Sequence, residues 1–126
     1  MTSLQRRVAV AFTFAGVMHF VRPRAYRAIV PPHVPYPHEA VTVSGIGEIV
    51  GGLAIIPPRT RWFARWWLLS LLVAVFPANV YMAQEPEEVS ERGVPADRIP
   101  RWLLYARLPL QPLFGWFVWR ATRPDR

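Results

Sequence analysis

A chain of 126 residues allows one domain, and 52% hydrophobic residues with a positive mean hydropathy are high for a soluble chain of this size. All fifteen basic residues are arginines, the formal net charge is +7, and the arginines cluster at the ends of apolar runs, so the expected partner is a lipid headgroup layer and no nucleic acid is expected. There is no cysteine, which excludes disulfides, thiolate metal sites and thiol redox chemistry by the chain itself.

Four apolar segments follow in chain order. Leu4 to Val21 is interrupted by Arg6 and Arg7 near its start and by Thr13 and His19, and about 17 to 25 residues cross a bilayer core, so it is a short but sufficient span. A signal peptide is the rival reading, because two arginines precede the apolar run; His19, Arg22 and Pro23 follow without a small-x-small cleavage pattern and argue against it. Arg22 to Glu39 holds Pro23, Pro31, Pro32, Pro35 and Pro37, which stiffens a loop with room for a short interfacial helix around Arg24 to Val30. Ala40 to Ile56 is stopped by Pro57 and Pro58, and the tight turn to Arg61 makes the second and third spans antiparallel neighbours.

Trp62 to Met82 opens with Trp62, Trp66 and Trp67 beside Arg61 and Arg65, an interfacial signature, and carries Pro77 and Asn79 near its far end. Ala83 to Arg101 sets Glu85, Glu87, Glu88, Glu91 and Asp97 against Arg92, Arg98 and Arg101 and reads as a solvated loop. Trp102 to Trp119 has aromatic residues near both ends. The expected fold class is therefore all-α: one domain over 1–126, an integral membrane four-helix bundle with spans about 4–21, 40–56, 62–82 and 102–119 and kinked third and fourth helices.

Four spans put the N-terminus, the 57–61 turn and the C-terminus on one side. That side collects Arg6, Arg7, Arg59, Arg61, Arg65, Arg120, Arg123 and Arg126, against Arg22, Arg24, Arg27, Arg92, Arg98 and Arg101 on the other. The excess favours a multi-pass protein of the bacterial cytoplasmic membrane with both termini cytoplasmic.

The most informative stretch is SGIGEIVGGLAII, from Ser44 to Ile56. As a helix it gathers Ser44, Gly45, Gly47, Glu48, Gly51 and Gly52 within about 160°, with Ile46, Ile49, Val50 and Leu53 opposite. A lone carboxylate on a small-residue face points inward. His19, Glu48, Asn79, Arg107 and Gln111 then share one depth, each expected span supplying at least one. A charge at depth costs a few kcal/mol unless paired or hydrated, so a Glu48–Arg107 ion pair is expected, with His19, Asn79 and Gln111 around it as a ligand site. Pro77, Pro109 and Pro112 leave carbonyls unpaired nearby.

Alternatives accompany this reading. A buried polar network also fixes helix register, at about 1 kcal/mol per interhelical hydrogen bond. Gly47 and Gly51, spaced GxxxG, suit internal packing or a homodimer. His33 and His38, with Glu39 adjacent, offer metal donors without a helical frame, and no metal is expected there.

The residues AGVMHFVRP from Ala15, the proline-rich loop, SGIGEIVGG from Ser44, FPANVYMA from Phe76 and RLPLQPLFGW from Arg107 resemble the DoxX-like family of small bacterial four-helix membrane proteins. The resemblance covers nearly the whole chain. It implies a four-helix bundle and association with membrane redox systems, including a subunit of thiosulfate to quinone oxidoreductase and complexes with soluble oxidoreductases. Where relatives use cysteines this chain has none, so direct sulfur chemistry does not carry over. The expected function is a redox-associated accessory protein whose pocket holds a quinone-like or anionic small molecule. The alternatives are an enzyme in which Glu48 or His19 moves a proton while Arg107 stabilises developing negative charge, and a transporter, for which four short spans lack the usual inverted repeat.

Overall fold

A computed structural model describes residues 1–123, and among them there are helices and turns but no strand. Helix α1 spans Ser3–Val21, α2 Pro23–Ala28, α3 Pro37–Ala54, α4 Arg61–Gln84, α5 Pro86–Glu91, α6 Arg101–Ala106 and α7 Leu110–Ala121; short 3₁₀ turns cover Pro58–Thr60 and Ala96–Arg98. Proline explains much of the punctuation. Pro23, Pro37, Pro58 and Pro86 each begin an element, where a missing N–H costs nothing and the fixed φ suits the first turn. At the head of α1, Gln5 N–H donates to Thr2 Oγ1 and Thr2 N–H to Gln5 Oε1, a reciprocal cap.

Glycine sets the helix contacts. A Cβ on Gly16 would lie 2.6 Å from the Gly45 carbonyl oxygen, and one on Gly52 2.9 Å from that of Ala9, so α1 and α3 run antiparallel with their backbones touching. Gly47 and Gly51 face α4, where Leu71 and Leu68 fill the space and Trp67 Nε1–H donates to Gly47 O at 2.8 Å. That pair therefore serves internal packing. Helix α7 lies against α4 through Gly115 beside Leu69 and through Arg65, which donates to Thr122 Oγ1 at 3.1 Å and Trp119 O at 3.1 Å. Val8, Ile55, Ala64, Leu68, Val118 and Ala121 form the core at this end.

The four-span membrane bundle is not supported. Among the described residues one helical stretch, Pro58–Gln84, is long and apolar enough to cross a membrane, with 22% of its apolar window buried. The shortfall elsewhere has particular causes. Helix α1 has 19 residues and carries Arg6 and Arg7, while the 18 residues of α3 include His38, Glu39, Thr42, Ser44, Glu48 and four glycines. The expected fourth span is cut in two: Arg107 to Pro109 form a turn, because Pro109 and Pro112 supply no N–H to the carbonyls of Tyr105 and Leu108. The 12 residues of α7 reach about 18 Å, short of a bilayer core of about 30 Å. Helix α4, expected to kink, is helical without a break through Pro77.

The acidic segment is also more ordered than a solvated loop. It contains α5, and Val89 and Ala96 are fully buried there with Ala28, Tyr81, Met82 and Leu104 in a second core. Large apolar side chains remain exposed on the outer faces, notably Val10, Phe14 and Val21 on α1 and Val43, Ile46 and Leu53 on α3. Arg126, used in the arginine count, lies outside the described residues.

Candidate functional site

The antiparallel register of α1 and α3 decides what meets Glu48. Gly16 lies against Gly45 and Ile49, and one turn further along α1 the Cβ of His19 packs against Gly45, so that Glu48, about one turn along α3, reaches the imidazole with its carboxyl. His19 is buried, and its ring stacks on Tyr26 of α2 with centroids 3.9 Å apart at 21°. Its Nδ1 lies 2.7 Å from the Ala15 carbonyl oxygen, which can only accept, so Nδ1 carries the proton and donates back to its own helix. Glu48 Oε2 is 3.5 Å from the same nitrogen, and it is a buried oxygen with no hydrogen-bond partner.

Burial works against the charged form of each group. Burial raises the Glu48 pKa to about 7, and burial lowers that of His19 against the opposing pull of the Ala15 hydrogen bond. Tyr26 is shifted upward by burial and then by the nearby Glu48 charge. A protonated Glu48 is thus a hydrogen-bond donor in an apolar setting, available to an acceptor brought from outside.

The space for that acceptor is a cavity of about 540 Å³ between α1, α3, α4 and α7, closed on one side by α2 and the segment that follows it. Its walls are mainly apolar, including Phe12, Leu71, Leu72 and Phe114, while His19, Tyr26, Ser44, Glu48, Asn79 and Gln111 supply the polar groups. A volume in the range of about 300 to 1,000 Å³ with few convergent polar groups is the usual form of a small-molecule site. The covering segment is tied down by Arg92, whose Nη1 donates to Ala28 O at 3.3 Å and Val30 O at 3.0 Å.

Four of the five residues selected from sequence therefore line one cavity: His19, Glu48, Asn79 and Gln111. Arg107 does not join them. It caps α6, is exposed, and its Nη1 faces Met82 Sδ at 3.9 Å, so the expected Glu48–Arg107 ion pair does not form and His19 takes the arginine's place beside the carboxylate. His33 and His38 are exposed, and among the described residues no three metal-ligating side chains come together. Sequence reasoning missed Tyr26 and Arg92. Nothing in a six-residue helix between prolines marks Tyr26 as a stacking partner, and Arg92 stands in a stretch that reads as solvated.

A family model described as Domain of unknown function (DUF8561) matches residues 8–122, a span that takes in every wall of the cavity. No curated protein and no solved structure matches the chain.

Proposed function

The chain belongs to the DUF8561 family, and from the geometry of its cavity we propose a membrane-associated protein that binds a small, largely apolar molecule through one carbonyl-type acceptor. The carrying observation is Glu48 Oε2, buried and unpartnered beside a cavity of about 540 Å³. A buried polar group without a partner costs about 1 to 3 kcal/mol, and a ligand acceptor meeting the protonated carboxyl offsets that cost. His19, its donor spent on Ala15, fixes the carboxyl's surroundings, and Tyr26 covers the imidazole. A quinone headgroup, the ligand class implied by the DoxX-like resemblance, presents acceptors of this kind on a flat apolar ring. The exposed apolar side chains of α1 and α3 and the crossing length of Pro58–Gln84 support a place at a membrane, where lipophilic molecules partition.

The test uses a short-chain benzoquinone titrated into the purified full chain by calorimetry. Binding is expected at pH 6 and weakens at least about tenfold in Glu48→Ala, a loss of about 1.4 kcal/mol, while Glu48→Gln keeps a donor and binds with little dependence on pH. Affinity in Glu48→Ala equal to that of the natural chain overturns the reading.

A further inference from the structure

The arginines are not spread evenly over the fold. The N-terminal turn of α1, the turn into α4, the first turns of α4 and the last turn of α7 meet at one end, as the shared core of Val8, Ile55, Ala64 and Ala121 and the Arg65–Trp119 contact require. That end carries Arg6, Arg7, Arg59, Arg65, Arg120 and Arg123, together with buried Arg61, which donates to Ile55 O at 2.7 Å. Among the described residues it carries no aspartate or glutamate. The remaining seven described arginines share the rest of the molecule with all seven described carboxylates, so the described chain's positive charge resides at this one end.

Tryptophan occupies the same level. Trp62 is 72% exposed and Trp66 48%. The Arg65 guanidinium lies 3.8 Å from the Trp119 ring centroid, and Trp119 meets Trp66 edge-on at 5.9 Å. Paired arginine and tryptophan with apolar side chains behind them match a headgroup layer, in which cations meet phosphates and indole rings sit at the acyl boundary. A nucleic-acid groove requires the cations but not a ring of exposed indoles backed by aliphatic helix faces.

We infer that this end is a docking surface for the headgroup layer of an anionic phospholipid membrane, separate from the cavity around Glu48. Exposed Arg6, Arg7 and Arg59 meet the phosphates, and Trp62 and Trp66 enter at the boundary with the acyl chains. Each arginine near such a surface contributes about fivefold in affinity, and the effect weakens as salt shortens the Debye length below about 10 Å.

The experiment is native mass spectrometry of the full chain released from detergent micelles containing equal amounts of phosphatidylglycerol and phosphatidylcholine, with and without a short DNA duplex at matched phosphate concentration. The chain should retain phosphatidylglycerol at least about tenfold over phosphatidylcholine. R6Q/R7Q/R59Q should lose that preference, and R22Q/R24Q/R98Q, which removes as many exposed arginines from the balanced region, should keep it; circular dichroism confirms that both variants remain helical. Equal retention of the two lipids, equal loss in both variants, or displacement of the lipid by the duplex overturns the inference. None of these outcomes bears on benzoquinone binding at Glu48.

Discussion

One helix pair contains two opposite solutions to packing. At Gly16, Gly45 and Gly52, α1 and α3 approach until no room is left for a methyl group, and the obstacles include main-chain atoms of the facing helix as well as side chains. Within a turn, at His19 and Glu48, the same pair borders a cavity and leaves a carboxyl oxygen without a partner. The closed stretch is what makes the open one stable. Backbone contact fixes register to within a fraction of a turn, and only a fixed register holds an acid beside a neutral imidazole without letting either side chain collapse into the space.

Breaking the closed stretch has the largest expected effect. Gly16→Val pushes carbon atoms into the Gly45 carbonyl oxygen and the Ile49 main chain, at 2.6 and 2.9 Å from the first added carbon. Backbone cannot yield as a side-chain tip does, so the cost is about 4 kcal/mol, above the usual range of about 1 to 3 for overpacking. Thermal unfolding should show a melting midpoint lowered by roughly 10 °C or more. An unchanged midpoint would mean that the two backbones do not touch there.

Changing the open stretch alters stability with pH instead. The unfolded chain releases the Glu48 proton near 4.5 and the folded chain holds it to about 7. The native state therefore binds more protons across that window, and the natural chain loses stability as pH rises through it. Glu48→Gln carries no such proton. Its stability relative to the natural chain should grow from about pH 4.5 to about pH 7 by about 3 kcal/mol and then level off. His19, whose lowered pKa gives a loss on the acid side, is present in both proteins and cancels from the difference. Denaturant melts across this range measure the trend, and a flat difference would show Glu48 ionised and well solvated.

The two stretches were unequally readable. Glycine and alanine beside His19, with glycines beside Glu48, already marked faces able to approach closely, and Pro57 and Pro58 marked where the helix of Glu48 stops. The inward face of α3 follows from that pattern, although Ile49, assigned to the outer side, in fact meets Gly16. What sequence could not give was which polar groups meet. Opposite charge made Arg107 the obvious partner for Glu48, but pairing depends on register across helices, and Arg107, at the end of α6, turns to Met82 instead. Composition likewise suggested four crossings, because a window average does not register that Pro109 and Pro112 divide the last segment or that α3 spends its length on glycine and polar residues. The aromatic slab from Tyr26 had no local signal, since its role depends wholly on where α2 folds back.

Arg107→Gln has the smallest expected effect and discriminates most sharply between the pairing suggested by charge and the one found. The residue is exposed and its guanidinium faces a thioether at 3.9 Å, a weak acceptor at long range. Losing it should change stability by less than about 0.5 kcal/mol, as for most surface substitutions, and should leave benzoquinone affinity within about twofold, under 0.5 kcal/mol. An ion pair with Glu48 predicts otherwise: removing one partner of a buried pair strands the other charge at a cost of about 3 to 5 kcal/mol. The two expectations differ by far more than the error of a denaturant melt. A large loss of stability in Arg107→Gln would restore the arginine to the site and displace His19 as the neighbour of Glu48.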